Sequence, residues 1–112
     1  MEYVSINVHQ DAQEYPDKIT VGKAIKLLPI NHAGDHQMQH LLQNPDDAPS
    51  FMSEKLSHPK VAALLFGGAV HKDDNNKAYI NALYFNEDKK LVVEKYWLSY
   101  PMLENARFAV AL

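Results

Sequence analysis

Residues 61–100 read VAALLFGGAVH, KDDNN, KAYINALYF, NEDKK and LVVEKYWLSY in succession. Three apolar runs of strand length are separated by two short polar clusters rich in Asp, Asn and Lys. Asp and Asn close tight turns through their own side-chain hydrogen bonds, so this alternation predicts a three-stranded antiparallel meander. Its strands fall near 61–71, 77–86 and 90–99. A helix capped by Ser57 is the competing reading of the first run. Its apolar residues follow no helical stripe, however, and Gly67-Gly68 would sit in the last turn. In a strand the same glycines mark a bulge or a close backbone approach.

The rest of the chain supplies one more strand and several short helices. Residues 2–9 (EYVSINVH) alternate with period two, placing Val4, Ile6 and Val8 on one side. Residues 10–16 form a turn or loop. In residues 18–28, Thr20 caps a helix whose apolar stripe is Val21, Ala24, Ile25 and Leu28. Gly22 weakens that helix and Pro29 ends it, and a strand is the alternative. Asp35 is placed as the cap of a helix through Gln43, with Met38, Leu41 and Leu42 turned inward. After the stop at Asn44-Pro45, Asp47 and Pro49 start a further short helix to Leu56 that buries Phe51, Met52 and Leu56. Residues 100–112 read as a helix with Leu103, Ala106 and Val110 on one stripe, although ARFAVAL also suits a strand.

The fold class expected is therefore α+β. An antiparallel sheet of three to four strands, the meander plus an N-terminal strand, packs against two or three short helices. At 112 residues the chain suits a single domain, 1–112. Apolar residues make up 46% and charged residues 22%, enough apolar surface to fold without a disulfide or metal staple. There is no cysteine, which excludes disulfide frameworks, thiolate catalysis and cysteine-ligated zinc. The opening residues show no signal-peptide pattern, and the longest apolar run is too short to cross a bilayer. No membrane association and a cytoplasmic setting are expected.

Charge argues against nucleic acid. Residues 1–56 carry four Lys and eight acidic residues, whereas residues 57–112 carry seven Lys plus Arg and six acidic residues, giving −3 overall. Arg107 is the only arginine, and phosphate and base-edge recognition lean on the guanidinium fork. Lys89, Lys90 and Lys95 near Tyr96 and Trp97 are read as a solvated strand edge beside core aromatics.

Candidate chemistry is sparse. His36 and His40 stand one helical turn apart, the spacing at which two imidazoles share a metal, with Asp35 beside them and His32 upstream. No HExxH pattern, third ligand or general base accompanies them. The reading preferred is a wet helix face opposite Leu41 and Leu42, with no tightly held metal and no cofactor. Residues 73–76 (DDNN) lack the spacing and terminal Glu of a calcium loop and are read as a hairpin turn. Gly22-Lys23 is not a phosphate loop, and no GxSxG elbow is present. Asn81 and Glu94 interrupt apolar strand faces and are placed near each other across the second hairpin, at a wet end of the sheet.

Both faces of the meander carry large side chains. Ile80 and Tyr84 point one way, and Tyr79, Leu83 and Phe85 the other, with Tyr96 or Trp97 beside them depending on register. The helices of residues 20–56 are expected to cover the first face, leaving the second to another copy of the chain or to the tail. The function expected is a non-catalytic binding or interaction module acting as a homodimer. Tyr79, Leu83, Phe85, Tyr96 and Trp97 are its binding candidates, toward a protein or small-molecule ligand. The alternative is a small enzyme using His36 and His40 with a carboxylate, with or without a divalent metal.

Overall fold

A computed structural model describes residues 3–4, 20–53, 62–102 and 106–111. The strands are β1 (Tyr3–Val4), β2 (Ala63–Lys72), β3 (Ala78–Phe85), β4 (Leu91–Trp97) and β5 (Ala106–Ala109). The helices are α1 (Val21–Leu27) and α2 (Asp35–Gln43), followed by single 3-10 turns at Pro45–Asp47 and Ser50–Ser53. The fold is α+β, with all strands in one mixed sheet of order β1-β5-β2-β3-β4. Among the described residues no helix is long and apolar enough to cross a membrane.

The meander forms as its sequence dictates. β3 pairs antiparallel with β2 and with β4, and the β3–β4 register runs unbroken from Phe85↔Leu91 to Tyr79↔Trp97. The two turns are built alike. Asp73 Oδ1 accepts from the amides of Asn75 and Lys77 at 3.0 and 2.8 Å. Asn86 Oδ1 does the same for Asp88 and Lys90, both at 3.0 Å. Each turn closes through a left-handed residue, Asn76 (φ 63°) and Lys89 (φ 60°). The carboxylate of Asp73 is thus spent on its own backbone, as a turn requires and a calcium loop does not.

The tail corrects the expected topology. Residues 106–109 are a strand, not a helix, and β5 lies parallel to β2 through Ala63↔Ala106, Leu64↔Arg107 and Leu65↔Phe108. β1 borders β5 rather than the meander. The sheet is therefore mixed, and wider than three to four antiparallel strands. A short apolar run such as ARFA carries no periodicity to separate strand from helix, so its burial between two strands decides. Leu103, Leu56 and the remainder of the expected strand 2–9 lie outside the described residues.

Each face of the sheet has its own cover. On one, Val21 and Ala24 of α1 meet Leu65, Ile80, Ala82, Tyr96 and Phe108. Thr20 caps α1 by accepting from the Lys23 amide at 3.2 Å. The first amides of α1 donate to the carbonyls of Tyr100 and Leu98, which fastens the helix to the end of β4. On the other face, Met38 and Leu41 of α2, with Phe51 and Met52, cover Leu64, Phe66 and Leu83. The helices of residues 20–56 are thus split between the two faces. Leu83, expected to await a partner, is fully buried. The cap of α2 also differs from expectation: Gly34 occupies that position, its N–H donating to Gln37 Oε1 at 2.9 Å, and Asp35 is the first helical residue. Asp47 caps no helix, because residues 45–53 make two 3-10 turns instead.

The chain crosses between the faces through residues 31–34, beside Gly67-Gly68. Ala33 N donates to Ala109 O and Ala111 N to Asn31 O, while Gly68 N donates to Ala33 O at 2.9 Å. A Cβ on Gly68 would collide with the backbone carbonyl oxygen of His32. At the same place the β2–β3 register jumps, from Phe66↔Asn81 to His71↔Tyr79. Both readings of the glycines, bulge and close approach, hold together.

Two outcomes follow from this packing. Gly68→Ala forces backbone against backbone and lowers stability by at least about 2 kcal/mol. Gly34→Ala, whose added Cβ meets only ordinary contacts at 3.6 Å and beyond, costs less than about 1 kcal/mol. Denaturant titration of both variants checks the contrast. Tyr96 supplies the second. Burial, then the charges of Glu94 and Tyr84, push its phenol from the ordinary 10.0 up to about 12. The folded chain therefore holds this proton longer than the unfolded one. Stability from this group is complete below pH 10 and is lost as pH rises towards 12, by roughly 2–3 kcal/mol. Chemical denaturation across that window shows the decline, and Tyr96→Phe flattens it.

Candidate functional site

Beyond the cover of α2, the sheet face runs on through three rows of side chains. Val93 lies in the row of Leu64 and Leu83, Lys95 in the row of Phe66 and Asn81, and His71, Tyr79 and Trp97 share the outermost row. The jump at the glycines decides who joins this face. Strict alternation from Phe66 would place Gly68, Val70 and Lys72 on it. The bulge resets the count, so His71 faces Tyr79 and Val70 is turned away to solvent.

His71 meets the first residue of α2. Its Nε2 lies 2.6 Å from Asp35 Oδ2, and Asn81 Nδ2 donates to Asp35 Oδ1 at 3.2 Å. Both carboxylate oxygens are thereby held, and the side chains of His71 and Asp35 are each about one-third exposed. The carboxylate accepts, so Nε2 is the donor in this contact. Asp35 also sits in the first turn of a helix, where the backbone dipole favours a negative side chain.

The aromatic part of the ledge follows the cross-strand pairs. His71 stacks on Tyr79 with ring centroids 5.4 Å apart, and Tyr79 meets Trp97 edge-to-face at the same separation. Lys95 Nζ lies 4.8 Å from the Tyr79 centroid. Beside them Val93 is 46% exposed, a large value for a sheet residue of its size.

The expected site residues divide accordingly. Asp35 joins the ledge, but through His71 and Asn81 rather than through its helical neighbours. His36 is exposed, and His40 pairs loosely with the exposed Asp47 at 3.5 Å. Both occupy the wet face that the leucines leave them. His32 is elsewhere: its Nε2 donates to Ile25 O at 3.1 Å, its ring packs edge-on to Phe108, and its buried Nδ1 has no hydrogen-bond partner among the described residues. Of the binding candidates, Tyr79 and Trp97 line the ledge. Leu83 is core, Phe85 is half-buried against the α2 cluster, and Tyr96 is buried on the opposite face. Asn81 and Glu94 do not meet, because Asn81 is opposite Lys95 and Glu94 opposite Ala82, on different faces. Sequence reasoning missed His71, and the one signal for it was the glycine pair just upstream.

The arrangement offers a hydrogen-bonded imidazole, a cation and two half-buried rings on an open surface. Among the described residues no three His, Asp or Glu side chains are grouped to hold a metal ion. Comparison with family models, with curated proteins and with solved structures finds no match to this chain.

Among the described residues, the His71–Asp35 hydrogen bond links α2 to the outer end of β2. A double-mutant cycle of His71→Ala and Asp35→Ala, read by denaturant melts at pH 7, gives a coupling of about 0.5–1.5 kcal/mol after allowance for solvent exposure. Zero coupling would mean that the short contact adds nothing to stability.

Proposed function

We propose that the protein is a non-catalytic binding module, acting as a homodimer, whose ligand surface is the ledge of His71, Tyr79, Val93, Lys95 and Trp97. One observation carries this reading. Among the described residues, the α2 face of the sheet runs on beyond the helical cluster here, where two rings and an exposed valine border a lysine. Apolar surface beside a fixed cation suits a ligand with an aromatic or aliphatic group next to an acid. The rings bury the first, and the Lys95 ammonium pairs with the second. A cytoplasmic setting is part of this proposal.

A second reading, a small enzyme, draws on the His71–Asp35 contact. An imidazole oriented by a carboxylate, itself held by Asn81, is the arrangement of a general base. In that case His71 replaces His36 and His40 as the catalytic group and works on water or on the substrate's own proton.

Trp97 is the chain's single tryptophan, so its fluorescence reports the ledge directly. Titration with phenylacetate is expected to shift or quench that emission saturably, and Lys95→Ala to weaken binding by up to about fivefold. An unresponsive Trp97 across a panel of aromatic acids would sink the ligand surface. Hydrolysis of 4-nitrophenyl acetate that is lost in His71→Ala and kept in His36→Ala would favour the enzyme instead.

A further inference from the structure

The ledge ends at β4, an outer strand of the sheet. Leu98 N donates to Ala78 O, and Asn86 N to Lys90 O, which sets the phase of the β3–β4 ladder. In an antiparallel pair the hydrogen-bonded positions alternate. Even-numbered residues of β4 therefore bond inward to β3. Leu91, Val93, Lys95 and Trp97 direct their N–H and C=O groups outward, and among the described residues no strand pairs with them. β4 is seven residues long, with no proline and no break in its register. Natural sheets usually blunt an edge of this kind with a bulge, a proline or a very short strand.

We propose that a second copy of the chain completes this edge, with β4 pairing antiparallel to β4 of its partner about a two-fold axis through Val93. The inference rests on the homodimer reading above and supplies its contact. A two-fold axis perpendicular to the sheet must pass at a residue that faces its own copy. Three registers are available near the middle of the strand. Centred on Glu94, two carboxylates oppose each other. Centred on Lys95, two ammonium groups do. Like charges directly opposite destabilise a sheet. Centred on Val93, the exposed valines face one another, Leu91 faces Lys95 of the copy, and Val92 faces Glu94. No like charges meet, and the outward groups of Leu91, Val93 and Lys95 form ~six hydrogen bonds across the axis. Such an axis keeps the same face of the sheet on the same side. The two ledges then flank the paired valines as one continuous surface, which makes the module bivalent.

The chain has no cysteine, so single cysteines read the register. Facing Cα atoms at a hydrogen-bonded pair lie about 5.5 Å apart, within reach of a disulfide. Under diamide, Val93→Cys is expected to cross-link to a dimer, whereas Val92→Cys, Glu94→Cys and Lys95→Cys stay uncoupled. In sedimentation equilibrium, Val93→Pro removes an outward N–H that β3 does not use, and it is expected to weaken dimerisation at least about tenfold. Circular dichroism confirms that this variant is folded. A wild-type mass of 12.7 kDa at every concentration overturns the homodimer reading and this inference together. A dimer that survives Val93→Pro overturns the edge pairing and leaves the homodimer standing, and one that cross-links best at Val92→Cys, Glu94→Cys or Lys95→Cys overturns the axis through Val93.

Discussion

The structure depends on the passage of residues 32–33 against Gly67-Gly68. α1 covers one face of the sheet and α2 the other, so the seven residues between them must carry the chain past the sheet. They do so where β5 ends and β2 breaks its register, taking hydrogen bonds from both. The backbone approach is close enough that Gly68 has no room for a side chain. Without that passage both helices would compete for one face, and the apolar residues of the other would stay wet.

The same event creates the ledge. The extra residues of the bulge turn His71 onto the α2 face, and the crossing delivers the first residue of α2 to the place where His71 arrives. Asp35 and His71, 36 positions apart in the chain, are thus brought to 2.6 Å by one irregularity. Asn81 holds the far oxygen from the middle strand. The ledge is accordingly built on rigid elements, with the orientation of its imidazole fixed from two sides.

Much of the fold was legible because short-range chemistry and periodicity decide it. The meander, the Asp73 and Asn86 turns and the Thr20 cap each rest on residues within a few positions of one another. The parallel strand β5 was not legible, since its place depends on two strands distant in sequence, and Ala106–Ala109 suits either state. The site was half legible. Tyr79 and Trp97 follow from alternation within unbroken strands, and Asp35 was noticed for its helix position. His71 lies beyond the bulge, where counting by two fails. The covering of Leu83 depends on which face each helix chooses, and that choice is made at the crossing.

The chain's cations divide their work in a way that bears on the ligand. Arg107, the single guanidinium, lies on β5 at 4.5 Å from the ring of Phe51 and 5.3 Å from that of Tyr3. It joins β1, β5 and the second 3-10 turn as a flat, weakly hydrated cation that tolerates aromatic cover. The ledge receives Lys95 instead, exposed and carried on the outermost strand. An ammonium is a compact point charge without the fork that reads planar anions in two places at once. If the ledge binds a ligand as proposed, the shape of the Tyr79–Trp97 ring pair would set recognition, while the lysine would supply attraction to a single acidic group. Doubling the ledge across the β4 edge would strengthen such a contact through valency rather than through any new chemistry.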